Sequence, residues 1–267
     1  MILSKGPFAA LLRNRSLVAE LCKREILGRY RGANFGLLWA LISPFLMLAV
    51  YTLAFGSILK SKWPGVGEGQ SFALILFVGL IIHAFLAECI TQAPRLVAGN
   101  PSYVKKVVFP LEVLPWPMVA SALFHLLMNL IAYIVLAIFF GQELSWTLLL
   151  FPLVVLPLVV LALGLSWGLA AMGVYFRDIN QVTGVFATAM LFTSTAIIPI
   201  TAIPADLQWL FRLNPLSFII DQARVVVLWG GMPDWIGLGA YLVIALLVCY
   251  GGYLIFSVTR RGFADVL

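Results

Sequence analysis

The chain has 267 residues, of which 63% are hydrophobic and only 10% charged, with a mean hydropathy of +1.05. A soluble domain carries roughly 25% charged residues, so a chain this apolar and this short cannot hide its side chains from water, and lipid is the solvent that fits. The net charge of +6 then asks where the charges sit, and their placement below is a topology signal rather than a nucleic-acid surface.

Residues 1–34 carry seven Lys or Arg. They lack a compact apolar core followed by small residues, so no cleavable signal peptide is expected. An amphipathic helix lying along the membrane surface is predicted within 10–34. Val18, Cys22, Ile26 and Tyr30 recur every four residues and Leu21 joins that face, while Glu20, Lys23, Arg24 and Arg31 lie elsewhere on the wheel. Glu25 and Arg29 intrude on the apolar side. Gly28, Gly32 and Gly36 follow at four-residue spacing. They permit either a flexible elbow or close helix packing through small residues.

A transmembrane helix needs about 20 mostly apolar residues. Six stretches qualify, near 36–59, 71–93, 112–140, 147–175, 182–200 and 236–257. The third and fourth are long and hold prolines (Pro115 and Pro117; Pro152 and Pro157), which allow kinks or tilt. With the N-terminus inside, the basic residues on the cytoplasmic side are Lys5, Arg13, Arg15, Lys23, Arg24, Arg29, Arg31, Arg95, Lys105, Lys106, Arg177, Arg260 and Arg261. Only Lys60, Lys62, Arg212 and Arg224 fall outside. That bias places both termini in the cytoplasm.

Two connecting segments depart from plain loops. The 94–110 stretch, PRLVAGNPSYVKKVVFP, is basic, semi-apolar and bracketed by prolines. It is either an ordinary loop or a docking segment for a cytoplasmic partner. The 199–235 stretch is cut by Pro199, Pro204, Pro215 and Pro233, with short helical patterns near 205–213 and 216–229. It reads as two re-entrant half-helices dipping into the outer face before the last span, a candidate outer gate. Irregular backbone at that depth needs protein or a water-filled cavity around it.

Catalytic and metal chemistry have little to stand on. Cys22, Cys89 and Cys249 are odd in number and widely spaced, and read as small apolar residues rather than a disulfide or metal framework. His83 and Glu88 do not share a helical face, whereas His125 and Asn129 do, at i and i+4. Glu88, Thr91 and Gln92 form a polar stripe, which lines a path or meets a neighbouring subunit. No GxxxxGK[ST] loop is present, and GVGEGQS at 65–71 has no lysine and reads as an external turn. Work on a substrate would therefore need an engine supplied by a second protein.

Residues 25–44, EILGRYRGANFGLLWALISP, together with VYFRDI at 174–179 and NPLSFIIDQAR at 214–224, resemble in content and order the permease subunits of ABC-2 type exporters. The resemblance covers nearly the whole chain and is closest to the polysaccharide branch, the Wzm-like O-antigen permeases with their capsule and teichoic acid relatives. It implies a single all-α transmembrane domain of six spans in the bacterial inner membrane, working as a homodimer with two separate, Wzt-like ATPase subunits. ATP and magnesium would be bound by those partners, and no cofactor by this chain. The cargo would be a glycan on a polyprenyl diphosphate lipid. A small lipophilic drug or another lipid is the alternative within the family. A membrane-embedded lipid-linked glycan transferase is the alternative from another class.

The resemblance also assigns candidate residues. Arg24, Glu25, Arg29, Tyr30 and Arg31 would stand at the diphosphate headgroup, where Arg binds phosphate oxygens strongly, or else anchor the chain to anionic lipid. Tyr51, Phe55, Phe186 and Phe192 are candidate channel aromatics, since ring faces suit sugars. Arg95, Asn100, Tyr103, Lys105 and Lys106 would meet the ATPase. Arg177 and Asp178 close the fourth span on the cytoplasmic side, and Asn214, Pro215 and Arg224 belong to the outer gate.

Overall fold

A computed structural model describes residues 6–54, 63, 72–105 and 109–267. The described residues are helical throughout, with no strand. Among the described residues, five helices are long and apolar enough to cross a membrane: Gly36–Ala54, Phe72–Gln92, Leu111–Phe139, Trp146–Tyr175 and Trp235–Val266. A sixth apolar helix, Ile179–Phe192, has 14 residues and is therefore about 21 Å long, short of a 30 Å hydrocarbon core. The predicted stretch at 182–200 thus becomes a shorter and earlier helix. At its end Ser194 donates its hydroxyl to the Leu191 carbonyl, and the backbone turns before Pro199.

We label the helices in chain order. α1 is Pro7–Arg13, α2 Arg15–Arg29, α3 Trp39–Tyr51, α4 Phe72–Gln92, α5 Arg95–Ala98, α6 Pro101–Lys105 and α7 Pro115–Phe139. α8 is Phe151–Tyr175, α9 Ile179–Phe192, α10 Gln208–Leu213, α11 Pro215–Val227, α12 Trp235–Thr259 and α13 Phe263–Val266.

α4 is the axis of the bundle. In its most apolar window 72% of residues are buried within the chain, against 17% for the first long helix and 22% for the last. It packs on α7, α9 and α11, whereas α3 and much of α12 keep apolar faces outward. The tightest helix pair is α8 with α12. A Cβ on Gly252 would lie 2.0 Å from the Gly164 carbonyl oxygen, and one on Gly164 would lie 2.5 Å from the Cys249 Cα. Only glycine lets these two backbones touch.

α1, α2 and α13 gather at one end of the bundle, here the terminal face. Glu112, just before α7, receives Arg260 from the end of α12 at 2.5 Å and faces Arg13 from α1 at 3.6 Å. α2 buries Val18 and Leu21 against Val113, with Phe109 and Trp116 beside them. The predicted four-residue face is therefore the one that packs. The elbow also resolves between its two readings. A Cβ at Gly28, Gly32 or Gly36 would meet nothing within 4 Å, while Gly32 and Gly36 have φ of +89° and +48°. Gly32 and Gly36 serve a turn, and none of the three makes a close approach within this chain.

Candidate functional site

Two arginine-centred clusters stand at opposite ends of α4. The first lies toward the terminal face. Glu88 is on the last turns of α4, with its side chain 16% exposed. Its carboxylate accepts from Arg29 of α2, from Gln92 Nε2 at 2.9 Å and from His125 of α7, whose Nδ1 is 3.0 Å from both oxygens. Facing two carboxylate oxygens, Nδ1 is the ring nitrogen that carries hydrogen. The Nδ1 to Arg29 distance of 3.2 Å is then proximity between two donors. Nε2 is buried without a hydrogen-bond partner among the described residues. Tyr30 sets its ring edge-on to His125, with centroids 6.0 Å apart. Burial pushes the Tyr30 phenol above its ordinary range, with Arg29 opposing and Glu88 adding to the shift. Burial likewise raises the thiol of Cys22, which stays a small apolar group on the packed side of α2.

Beside this cluster is a cavity of about 350 Å³ lined by Arg24, Glu25, Gly28, Arg29, Gln92 and Ser121. A second, of about 450 Å³, reaches from Glu25 and Gln92 to Arg95, Asn100, Asn180 and Gly184. The predicted headgroup residues Arg24, Glu25 and Arg29 thus meet one polar space, with Tyr30 behind it. Arg31 is exposed.

The 94–110 candidates are tied to that space. Arg24 donates to the Tyr103 hydroxyl at 2.6 Å, and Tyr103 stacks on Phe109 at 4.3 Å. Arg95 donates to Asn180 at 3.1 Å, joining α5 to the start of α9. Asn100 donates back to the Leu96 carbonyl, and Lys105 is exposed. Lys106 lies outside the described residues. Arg177 and Asp178 are exposed between α8 and α9.

The second cluster is at the far end. Arg224 of α11 has a side chain 1% exposed. Its guanidinium donates to the carbonyls of Ile75 at 3.2 Å, Thr195 at 2.6 Å and Ala196 at 2.8 Å. It stands 3.5 Å from Asp221 and 4.4 Å over the Trp63 ring. The planar fork of Arg suits this divergent set of acceptors. Asn214 caps α11 by accepting from the Leu216 amide at 2.9 Å, and it donates to the Met190 carbonyl at 2.8 Å. Pro215 follows at the first helical position. The three residues placed in the external segment thus join α11, the end of α9 and the start of α4. Of the channel aromatics, Phe186 and Phe192 are exposed on α9 and Tyr51 is partly buried. Phe55 lies outside the described residues.

Sequence reasoning singled out Glu88 and His125 separately and missed that they meet. They are on different helices, 37 positions apart. The signal that existed was Arg29 interrupting the apolar face of α2.

These features define a multi-pass membrane protein, helical throughout its described part, with an arginine-centred polar cluster at each end of one buried helix. The chain belongs to the ABC-2 type transporter family, whose profile matches residues 16–228. It is 28% identical over 257 residues, 96% of each chain, to an O-antigen export system permease protein, RfbA, of Myxococcus xanthus. An RfbA of Klebsiella pneumoniae is 23% identical over 94% of this chain and 95% of that one. The polysialic acid transport protein KpsM of Escherichia coli is 23% identical over 88% and 90%.

Proposed function

We propose that the chain is the membrane-spanning permease of an exporter that moves a polyprenyl-diphosphate-linked polysaccharide of the O-antigen type across the bacterial inner membrane. The observation that carries this reading is the cavity beneath α2. A lipid-borne diphosphate needs donors at the membrane interface, with a sideways route from the bilayer. Arg24 and Arg29 line a half-open space between an interfacial helix and the bundle, and Arg is suited to bind phosphate oxygens through two parallel hydrogen bonds. The names of the relatives, two O-antigen permeases and a polysialic acid transporter, supply the cargo class.

In this reading the terminal face is cytoplasmic, and the bias of Lys and Arg supports that orientation. α9 completes a sixth crossing together with the segment after it, and α10 and α11 enter the outer leaflet as half-helices around Arg224. Two copies form the pore, with Phe186 and Phe192 facing it. Two ATPase subunits of the Wzt type bind ATP and magnesium and press on the 94–110 segment. Arg24–Tyr103 and Arg95–Asn180 would carry that movement to α2 and α9.

The test is reconstitution with the ATPase in liposomes holding a short polyprenyl-diphosphate oligosaccharide. ATP should make the sugar accessible to an external glycosidase. An active ATPase with no sugar exposed, or one that moves only a lipophilic dye, overturns the reading.

A further inference from the structure

We propose that the Arg29–Glu88 ion pair is a latch that an anionic diphosphate group unfastens, so that Glu88 competes with the ligand for Arg29. The inference rests on the headgroup reading above and adds a regulation to it. In the structure Arg29 is already occupied. Its guanidinium is on the Glu88 carboxylate, although half of the side chain remains exposed to the cavity. A diphosphate entering that cavity meets two groups now spent on Glu88, Arg29 and Gln92. It carries more charge and more acceptor oxygens than one carboxylate, so it can draw Arg29 away.

Glu88 is built to survive the loss. His125 Nδ1 stays 3.0 Å from both of its oxygens, so the carboxylate is not left bare when the arginine leaves. A buried charge stripped of every partner would carry a heavy desolvation penalty and hold the latch shut.

The consequence reaches α2. Its buried residues are Val18 and Leu21, both in its first half. The second half is held by polar contacts, Arg24 to Tyr103 and Arg29 to Glu88, and it ends in the turn at Gly32 with φ +89°. Releasing Arg29 frees the end of α2 next to a hinge. Ligand arrival would thereby loosen the helix that covers the flank of α4 and α7.

The experiment uses the permease–ATPase complex in nanodiscs, with co-purification of the ATPase as the check on folding. Two probes are titrated, a polyprenyl diphosphate in the nanodisc lipid and inorganic pyrophosphate in the buffer. If Arg29 sits on Glu88 about nine-tenths of the time, Glu88→Gln should tighten binding about tenfold, because removing the competitor restores the competent fraction. Arg29→Ala should weaken it. Tightening with both probes means the diphosphate suffices; tightening with the lipid form alone means the carrier chain is also read. Both outcomes support the latch. If Arg29→Ala weakens binding while Glu88→Gln leaves it unchanged or weaker, the headgroup reading stands and the latch is overturned. If neither variant changes binding, the headgroup reading itself fails. A second measurement needs no loss of charge. Gly28→Cys with Ser121→Cys places thiols on two sides of the cavity, and Gly28 has room for the added atoms. Bridging by a short bifunctional reagent should slow when the polyprenyl diphosphate is added. An unchanged rate on a complex shown to bind the probe overturns the latch.

Discussion

Arg29 and Arg224 lie near opposite ends of α4 and do opposite things with the same side chain. Arg224 is enclosed, fixed by three backbone carbonyls, a carboxylate and an indole ring. Arg29 is half exposed and has one strong partner, Glu88. A guanidinium on three carbonyls from two chain segments cannot leave without stranding the two in the turn, so it acts as a rivet. A guanidinium on one carboxylate at the edge of a cavity can change partners. The same bundle is thus rigid at one end of its axis and exchangeable at the other. Under the function proposed above, this would divide a part that holds a seal from a part that admits a ligand.

The largest effect should come from removing the rivet. Arg224→Leu leaves the Thr195 and Ala196 carbonyls buried without their donor, since both lie in a turn rather than a helix. Ile75 belongs to α4, whose own ladder still serves its carbonyl. Two buried unsatisfied carbonyls at about 1–3 kcal/mol each predict a loss of roughly 2–6 kcal/mol. Thermal unfolding in detergent should show it as a clear drop in midpoint, and protease should cut the 193–203 turn faster. Arg224→Lys should fall between, keeping the charge but not the fork. A Leu variant as stable as the parent would end the distinction between the two arginines.

How much of this was legible in sequence follows from the range of each interaction. The long apolar runs and the packed face of α2 come from composition and period, which are local, and these could be read directly. The Glu88–His125–Arg29 cluster could not, because its members come from three elements. The one trace was Arg29 breaking the α2 pattern, and the break has a cause: that residue turns to a carboxylate 59 positions away. The length of the fifth apolar stretch was overread for a similar reason. Residues 196–200, AIIPI, are as apolar as a span. The helix nevertheless stops at Phe192, with the carbonyls of Thr195 and Ala196 turned toward Arg224, 29 and 28 residues on. Hydropathy reports what lipid tolerates, not which carbonyl is claimed by a distant guanidinium.

A matched pair of glycines sharpens the comparison with a smaller effect. A Cβ on Gly79 would lie 2.8 Å from the Ala196 backbone and from Arg224 Nη2, so Gly79→Ala forces α4 against the rivet. Overpacking of this kind costs about 1–3 kcal/mol. Gly28 of α2 has nothing within 4 Å. Gly28→Ala should instead stabilise by up to about 1 kcal/mol through helix propensity. Opposite signs in the same unfolding measurement would confirm that the two ends differ in tightness. Equal destabilisation would show that α2 is held more closely than its contacts indicate.

The smallest effect belongs to Arg29 itself. As a half-exposed partner in an ion pair, it contributes little to stability, about 0–1 kcal/mol. Glu88 would keep His125 and Gln92 after its removal. Arg29→Ala should therefore leave the unfolding midpoint within about four degrees of the parent, which is what up to about 1 kcal/mol gives for a chain of this size. The combination matters more than the number. Near-parental stability with lost diphosphate binding marks a side chain kept for exchange. A midpoint drop as large as that of Arg224→Leu would instead make Arg29 a second rivet, and the cavity beside it a mere gap in packing.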